Sequence, residues 1–232
     1  MKLRPGTDTW IFDLDDTLYL RSSGVHEQMR LRVVRFIQDL IGCDEAAAAT
    51  LHTEYYLRYG TSMVGLARHH DVPPQEFLEF VHAIDLSSVD ATDALKNAIA
   101  ALPGRRLVFT NASTAHARRV LSHLQIADLF DGICDIECCG FIGKPEQAAY
   151  DVLLARHDID PERSIFFDDR EVNLRIPFQL GMQTVLVVDK GDAAAVSHIH
   201  AFTEDVPHFL AGLLVRCGVG RPLDLQGAGS TC

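Results

Sequence analysis

The chain has 232 residues, 47% of them hydrophobic and 23% charged, with a formal net charge of −11. That is apolar material for one large domain or two modest ones, and an ordinary charge content that argues against disorder. The acidic balance disfavours binding to nucleic-acid polymers, no stretch approaches the ~18 apolar residues of a membrane span, and no apolar run of signal-peptide length follows Lys2 and Arg4.

The first element is Trp10-Ile11-Phe12, an apolar run that ends in Asp13-Leu14-Asp15-Asp16-Thr17-Leu18-Tyr19. It reads as a buried strand with a polar, functional end. Asp13 and Asp15 are two apart, so extended backbone puts them on one side. Two such carboxylates repel, and a hard divalent cation such as Mg²⁺ would relieve them. The same residues read equally well as a strand and an acidic turn, and the rest of the chain has to decide.

A helical pattern over Val25, Met29, Val33, Phe36, Ile37 and Leu40 ends at Gly42. Asp44 caps a second helix over 46–59, with Gly60 as its stop; Thr61 caps a third, and Pro73-Pro74 opens a fourth carrying Phe77, Phe80, Val81 and Ile84. Residues 21–88 are therefore expected to be an all-helical insertion. The pattern then alternates. A helix over 91–102 ends at Pro103-Gly104, and Leu107 to Thr110 is a strand ending in Thr110-Asn111. Ser113 or Thr114 caps a helix through Leu124, residues 132–134 form a weak strand, and Pro145 is expected to open a helix carrying Tyr150, Leu153 and Leu154. Ser164 to Phe167 is a strand ending in Asp168-Asp169, a helix begins near Pro177, and strands are expected over 184–188 and 200–202. Val206 to Leu214 reads as a last helix, and 218–232 as a flexible tail.

Strand alternating with helix signals an α/β fold, a Rossmann-like parallel sheet flanked by helices, with ligands at the carboxyl ends of its strands. The expected organisation is a discontinuous core, 1–20 and 89–217, interrupted by the helical cap over 21–88. Three strands end in polar residues: Asp13/Asp15, Thr110/Asn111 and Asp168/Asp169. One site explains the three coincidences together. The six cysteines, Cys43, Cys134, Cys138, Cys139, Cys217 and Cys232, show no paired metal spacing. They read as reduced thiols of a cytoplasmic protein, with zinc not expected there or at His69-His70 and His198/His200.

With these segments placed, the chain resembles the haloacid dehalogenase (HAD) superfamily of phosphotransferases. The resemblance rests on Asp13-Leu14-Asp15-Asp16-Thr17-Leu18, on Phe109-Thr110-Asn111, on Lys144-Pro145 and on Phe166-Phe167-Asp168-Asp169, four motifs in the right order. A closer resemblance is to the pyrimidine 5′-nucleotidase branch, through the run to Tyr19, Tyr59-Gly60-Thr61-Ser62, Val81 to Leu86 and Phe141 to Glu146. Cys138-Cys139-Gly140 departs from the pattern.

The resemblance implies a phosphomonoester hydrolase with Asp13 as the nucleophile that forms an aspartyl-phosphate and Asp15 as general acid and base. It implies Mg²⁺ held by Asp13, the backbone carbonyl of Asp15, Asp168 and Asp169. Lys144, on position alone a surface lysine before a helix, becomes a phosphate and Asp13 partner. Thr110 and Asn111 become phosphate donors, either or both also capping the helix that follows. Asn173 either braces the Asp168-Asp169 pair or is a turn residue. Tyr19, Tyr59, His82 and Asp85 are candidates to touch the substrate, with packing at a cap hinge as the competing role for His82. The implied partner is a small phosphorylated molecule, a nucleoside 5′-monophosphate first, and the implied assembly a monomer or homodimer. The competing readings are a sugar-phosphate phosphatase of the same mechanism, a metal-independent dehalogenase and a non-catalytic binding protein.

Overall fold

The computed structural model describes residues 1–188 and 196–216. Among the described residues, six strands form one sheet: β1 (Thr9–Phe12), β2 (Arg105–Phe109), β3 (Gly132–Cys134), β4 (Ser164–Asp168), β5 (Gln183–Val187) and β6 (Ala201–Thr203). Nine helices accompany them among the same residues: α1 (Val25–Ile41), α2 (Glu45–Tyr59), α3 (Ser62–His70), α4 (Pro74–Val81), α5 (Asp93–Ala100), α6 (Thr114–His123), α7 (Gln147–His157), α8 (Arg175–Gln179) and α9 (Val206–Arg216). None of the helices among these residues is long and apolar enough to cross a membrane.

The strand order is β3-β2-β1-β4-β5-β6, and every pairing is parallel. The chain moves outward from β1 through β2 to β3, then returns to the other side of β1 with β4. This is a Rossmann-like order, and the reversal leaves a crevice at the carboxyl end of the central strand. Phe12 is in register with Val108 on one side and Phe167 on the other. The Asp13 N–H donates to Phe167 O at 2.8 Å, so the ladder runs one residue past β1 and holds Asp13 beside Asp168.

The sheet is buried on both faces, which is why Trp10, Ile11 and Phe12 of β1 are apolar in succession rather than alternating. Trp10 and Phe12 face a layer shared by α5, α6 and α9, with Val108, Val120, Phe167 and Leu210. Phe12 stacks on Phe167 with ring centroids 4.7 Å apart. Ile11 points the other way, into a layer with Phe109, Phe166 and Tyr150 and Leu153 of α7.

Residues 25–81 form the four helices α1 to α4. Gly42 and Gly60 end α1 and α2 in the left-handed conformation, Asp44 accepts from the Ala47 N–H, and Thr61 from the Val64 N–H. Val33, Ile37, Ala48, Tyr55, Leu66 and Phe77 make a separate apolar cluster, which Ile136 from the loop after β3 joins. Gly65 is required by close approach: a Cβ there would lie 2.3 Å from Cγ of Tyr55. This helical cap therefore leans on the carboxyl edge of the sheet, over the crevice.

Some local expectations shift. Pro145 does not open α7: its peptide bond to Lys144 is cis, and the helix starts at Gln147 with Glu146 as N-cap. Pro177 lies inside α8, which a 3₁₀ turn over Glu171–Leu174 precedes. Ser113, not Thr114, caps α6. The last strand sits at Ala201–Thr203, one residue beyond the expected 200–202. The tail expected over 218–232, with Cys217 and Cys232, lies outside the described residues. Because Phe167 fills the layer beneath the Asp13 turn, Phe167→Ala is expected to lower stability by about 3–5 kcal/mol, measured as the shift in urea unfolding.

Candidate active site

The loop after β3 delivers Lys144 into the middle of the carboxyl edge. The residue is 2% exposed. Its ammonium lies 2.8 Å from Asp13 Oδ1 and 2.7 Å from Asp168 Oδ2, and donates to Phe109 O at 2.9 Å. Three strands thus meet at one cation, and each of its three donors has an acceptor. The Lys144 backbone is fixed as firmly: its N–H donates to Asn111 Oδ1 at 2.7 Å, and Asn111 Nδ2 donates to Lys144 O at 2.9 Å. Asn111 therefore serves as a clamp on the lysine. Burial opposes the Lys144 charge, but Asp13 and Asp168 outweigh it and raise its pKa.

Asp168 is the fully buried carboxylate. It accepts from Asn173 Nδ2 at 2.9 Å and from the Arg170 N–H at 2.8 Å, so Asn173 braces it. Carboxylate oxygens of Asp13, Asp168 and Asp169 all come within 4.8 Å of one another. Burial, tempered by Lys144 and then aggravated by Asp168, pushes Asp13 up to about 7. Burial, then Asp168 and Asp13, push Asp169 up to about 9. Lys144, with the half-exposed Arg21 3.9 Å from Asp169 Oδ2, faces three converging carboxylates, which leaves negative charge uncompensated, and the donors are all hard oxygens. This set fits a small divalent cation such as Mg²⁺.

Asp15 behaves in the opposite way. Burial would raise it, but attraction and a hydrogen bond from His116, with a further bond from Tyr19, hold it down at about 2. His116 Nε2 is 2.8 Å, and the Tyr19 hydroxyl 2.6 Å, from Asp15 Oδ1. Asp16 takes φ +58° in the tight turn that follows, a conformation Asp tolerates better than most residues. Thr110 Oγ1 accepts from the Ala112 N–H at 3.0 Å and borders the cavity, as does Asn111. Neither caps α6.

The cavity between this edge and the cap has a volume of about 470 Å³. Val33, Phe77, Leu78 and Val81 supply an apolar wall. Tyr56 lies opposite Arg170, whose guanidinium carbon sits 4.6 Å above its ring. His82 borders the cavity, stacks on His116 at 4.3 Å and sits 3.0 Å from Ser113 Oγ. Burial, then His116, hold it at about 3, so it is neutral.

The other three cap candidates do not reach the cavity. Tyr19 is committed to Asp15, because the turn after β1 folds its hydroxyl back onto that carboxylate. The Tyr59 hydroxyl meets His69 Nε2 at 2.7 Å, tying α2 to α3. Asp85 is exposed and accepts from Ser87, organising the turn after α4. Tyr56 and His116 are the residues that sequence reasoning missed. Tyr56 is next to Tyr55 and about one turn before Tyr59 on a helix with little amphipathic contrast, and nothing local marks which tyrosine faces the crevice. His116 has no signal short of the tertiary fold.

The family model for haloacid dehalogenase-like hydrolases matches residues 7–176. A curated relative, Phosphate metabolism protein 8 of Saccharomyces cerevisiae, is 30% identical over 201 residues, which cover 78% of this chain and 62% of the yeast protein. The chain thus spans less than two thirds of that relative's length. Among solved structures, a HAD phosphatase from Thermococcus onnurineus aligns with a TM-score of 0.63 at 14% identity, covering 89% of this chain and 97% of that one. The HAD-hydrolase YfnB from Bacillus subtilis, bound to magnesium, aligns at 0.60 and 13% identity, covering 92% and 99%. At these identities the structural likeness concerns the fold.

The raised carboxyls have a consequence for stability. Asp13 and Asp169 bind protons more tightly folded than unfolded, so without a cation their contribution to stability falls as pH rises from about 4 toward about 9, while the opposite contribution of His82, held neutral, is complete by about pH 6.5. In chelator, the melting temperature is expected to drop between about pH 5.5 and about pH 8.5, and excess Mg²⁺ to restore most of the loss at the higher pH. A scanning-fluorimetry series with and without Mg²⁺ reads both.

Proposed function

Because the chain belongs to the haloacid dehalogenase-like hydrolases, we propose that it hydrolyses phosphomonoesters through a phosphoryl group held on Asp13. The observation that carries this reading is the convergence of Asp13, Asp168 and Asp169 around Lys144 at the crevice. Asp13, Asp168 and Asp169 would hold Mg²⁺, which when bound offsets the repulsion between an attacking carboxylate and an anionic phosphate.

Phosphoryl transfer asks mainly for positioning and charge neutralisation. Lys144 pins one oxygen of Asp13 and gives the phosphate a buried positive neighbour. Asp13 attacks phosphorus, the bond to the leaving oxygen breaks, and Asp15 gives that oxygen a proton. Asp15 then takes a proton from the water that cleaves the aspartyl-phosphate, freeing phosphate and Asp13. His116 and Tyr19 occupy Asp15 Oδ1, which leaves Oδ2 as the oxygen that exchanges the proton. Their hold keeps resting Asp15 a base, so the proton it gives the leaving oxygen is one it takes up from solvent as the phosphate dianion arrives and raises its proton affinity, and the proton taken from water is returned to solvent at the end of the cycle. Thr110 sits at the cavity edge with a hydroxyl proton to donate.

The preferred substrate in this reading is a nucleoside 5′-monophosphate, pyrimidine before purine. Three features support a nucleotide: a cavity of about 470 Å³, a flat Tyr56–Arg170 face for a ring, and the apolar wall of Val33, Phe77, Leu78 and Val81 facing the polar edge. The name of the yeast relative places that protein in phosphate metabolism, in line with a phosphorylated substrate. The free thiols of Cys43, Cys134, Cys138 and Cys139 suit the reducing cytoplasm.

A panel of UMP, CMP, AMP and glucose 6-phosphate, assayed with Mg²⁺ and with chelator, tests the reading. UMP and CMP are expected to show the highest kcat/KM and chelator to abolish turnover. Preference for the sugar phosphate would remove the nucleotide while leaving the chemistry. Asp13→Asn is expected to cut turnover by at least about 10³-fold with an unchanged circular-dichroism spectrum. Substantial activity in that variant would refute the nucleophile assignment.

A further inference from the structure

Three cysteines lie together outside this site. Cys134 ends β3, and the turn that follows brings back Cys138 and Cys139. Their sulfurs are 3.2 Å (Cys134–Cys138), 3.7 Å (Cys134–Cys139) and 3.8 Å (Cys138–Cys139) apart. Cys134 and Cys139 are buried and Cys138 is half-buried. Nothing in the phosphoryl-transfer chemistry uses them.

The triangle has the dimensions of a metal site. Around a tetrahedral ion with bonds of ~2.3 Å, thiolate sulfurs lie about 3.8 Å apart. An ion at that bond length from all three sulfurs would sit about 1 Å out of their plane, close to the ~0.8 Å of a regular tetrahedron. No sulfur has to move.

The turn is also held in place by groups other than the sulfurs. Asp135 accepts from the Cys138 N–H at 2.8 Å and from the Thr114 hydroxyl, and the Cys138 thiol donates to Asp135 O at 3.1 Å. A second cavity, of about 540 Å³, reaches Cys138 past Thr114, Asp135 and Glu137 and provides an entry path. Arg118 and Arg156 line it as well and balance the two carboxylates. A bound ion expels the thiol protons.

We propose that Cys134, Cys138 and Cys139 form a three-thiolate site for one tetrahedral, thiophilic cation of the zinc class. A disulfide would use two of the sulfurs and leave the third without a role; an ion uses all three. Such an ion would tie the end of β3 to the loop that turns at Gly140 and Phe141, both at φ +63°, and then delivers Lys144. The Asp13, Asp168 and Asp169 set offers hard oxygen donors, so the two sites select different metals.

The test uses the full chain, reduced and stripped with chelator, titrated with Co²⁺ and then Zn²⁺. One equivalent of Co²⁺ is expected to give a sulfur-to-metal charge-transfer band with tetrahedral d–d bands. One equivalent of Zn²⁺ should bleach them and protect three thiols from alkylation, while Mg²⁺ does neither. Cys138→Ala, at the half-buried corner, should lose the band and weaken Zn²⁺ at least tenfold, since even changes to the partners of ligands cost about 10–100-fold. Cys43→Ala should change nothing. Should Cys138→Ala fold poorly, protection of Cys134 and Cys139 in the unmutated chain, mapped by mass spectrometry, gives the same answer. Absence of the thiolate band, its persistence in Cys138→Ala, or mild oxidation closing a Cys134–Cys138 disulfide in a chain that shows no thiolate band would overturn the proposal.

Discussion

The Lys144 ammonium, held between Asp13 and Asp168 with Phe109 O as third acceptor, is the contact on which the crevice depends. Removing such an ion from water is costly, and the cost is offset only when every donor is met in good geometry. Here the three acceptors come from the ends of β2, β1 and β4, so the condition is satisfied only when the sheet is correctly ordered. The lysine in turn fixes both aspartates. Asn111 closes the arrangement by clasping the Lys144 peptide from the end of β2.

Around that cation the carboxylates divide by environment. Asp168 is saturated with donors. Asp13 and Asp169 share too little positive charge and are pushed upward, whereas Asp15, gripped by His116 and Tyr19, is pushed down. The His116 that holds Asp15 also stacks on His82, the residue that closes α4. The last helix of the cap and Asp15 are therefore joined by one pair of imidazoles.

The cap and the thiol cluster meet the same edge from two sides. Ile136 packs into the cap's apolar cluster, Asp135 and Cys138 organise the turn beside it, and the chain then continues to Lys144. The loop between β3 and α7 thus carries the cap's foothold, the three sulfurs' turn and the central ammonium within about a dozen residues. Its two successive left-handed residues, Gly140 and Phe141, mark where the backbone gives up regular structure to make those placements.

Much of this was legible in the residues alone. Apolar runs ending in acids marked β1 and β4, alternating strands and helices gave a parallel sheet, and glycine stops with Asp44 and Thr61 caps gave the helices at 25–81. These are rules acting within a few residues, through backbone sterics, local hydrogen bonds and the pattern of burial. Only the tertiary structure decided that Tyr56 rather than Tyr59 faces the crevice, that Tyr19 and His116 belong to Asp15, and that Asn111 clamps Lys144. It alone brought Cys134 against Cys138 and Cys139. Which side chains touch across a fold depends on how separately formed elements pack, and neighbours in the chain carry no record of that.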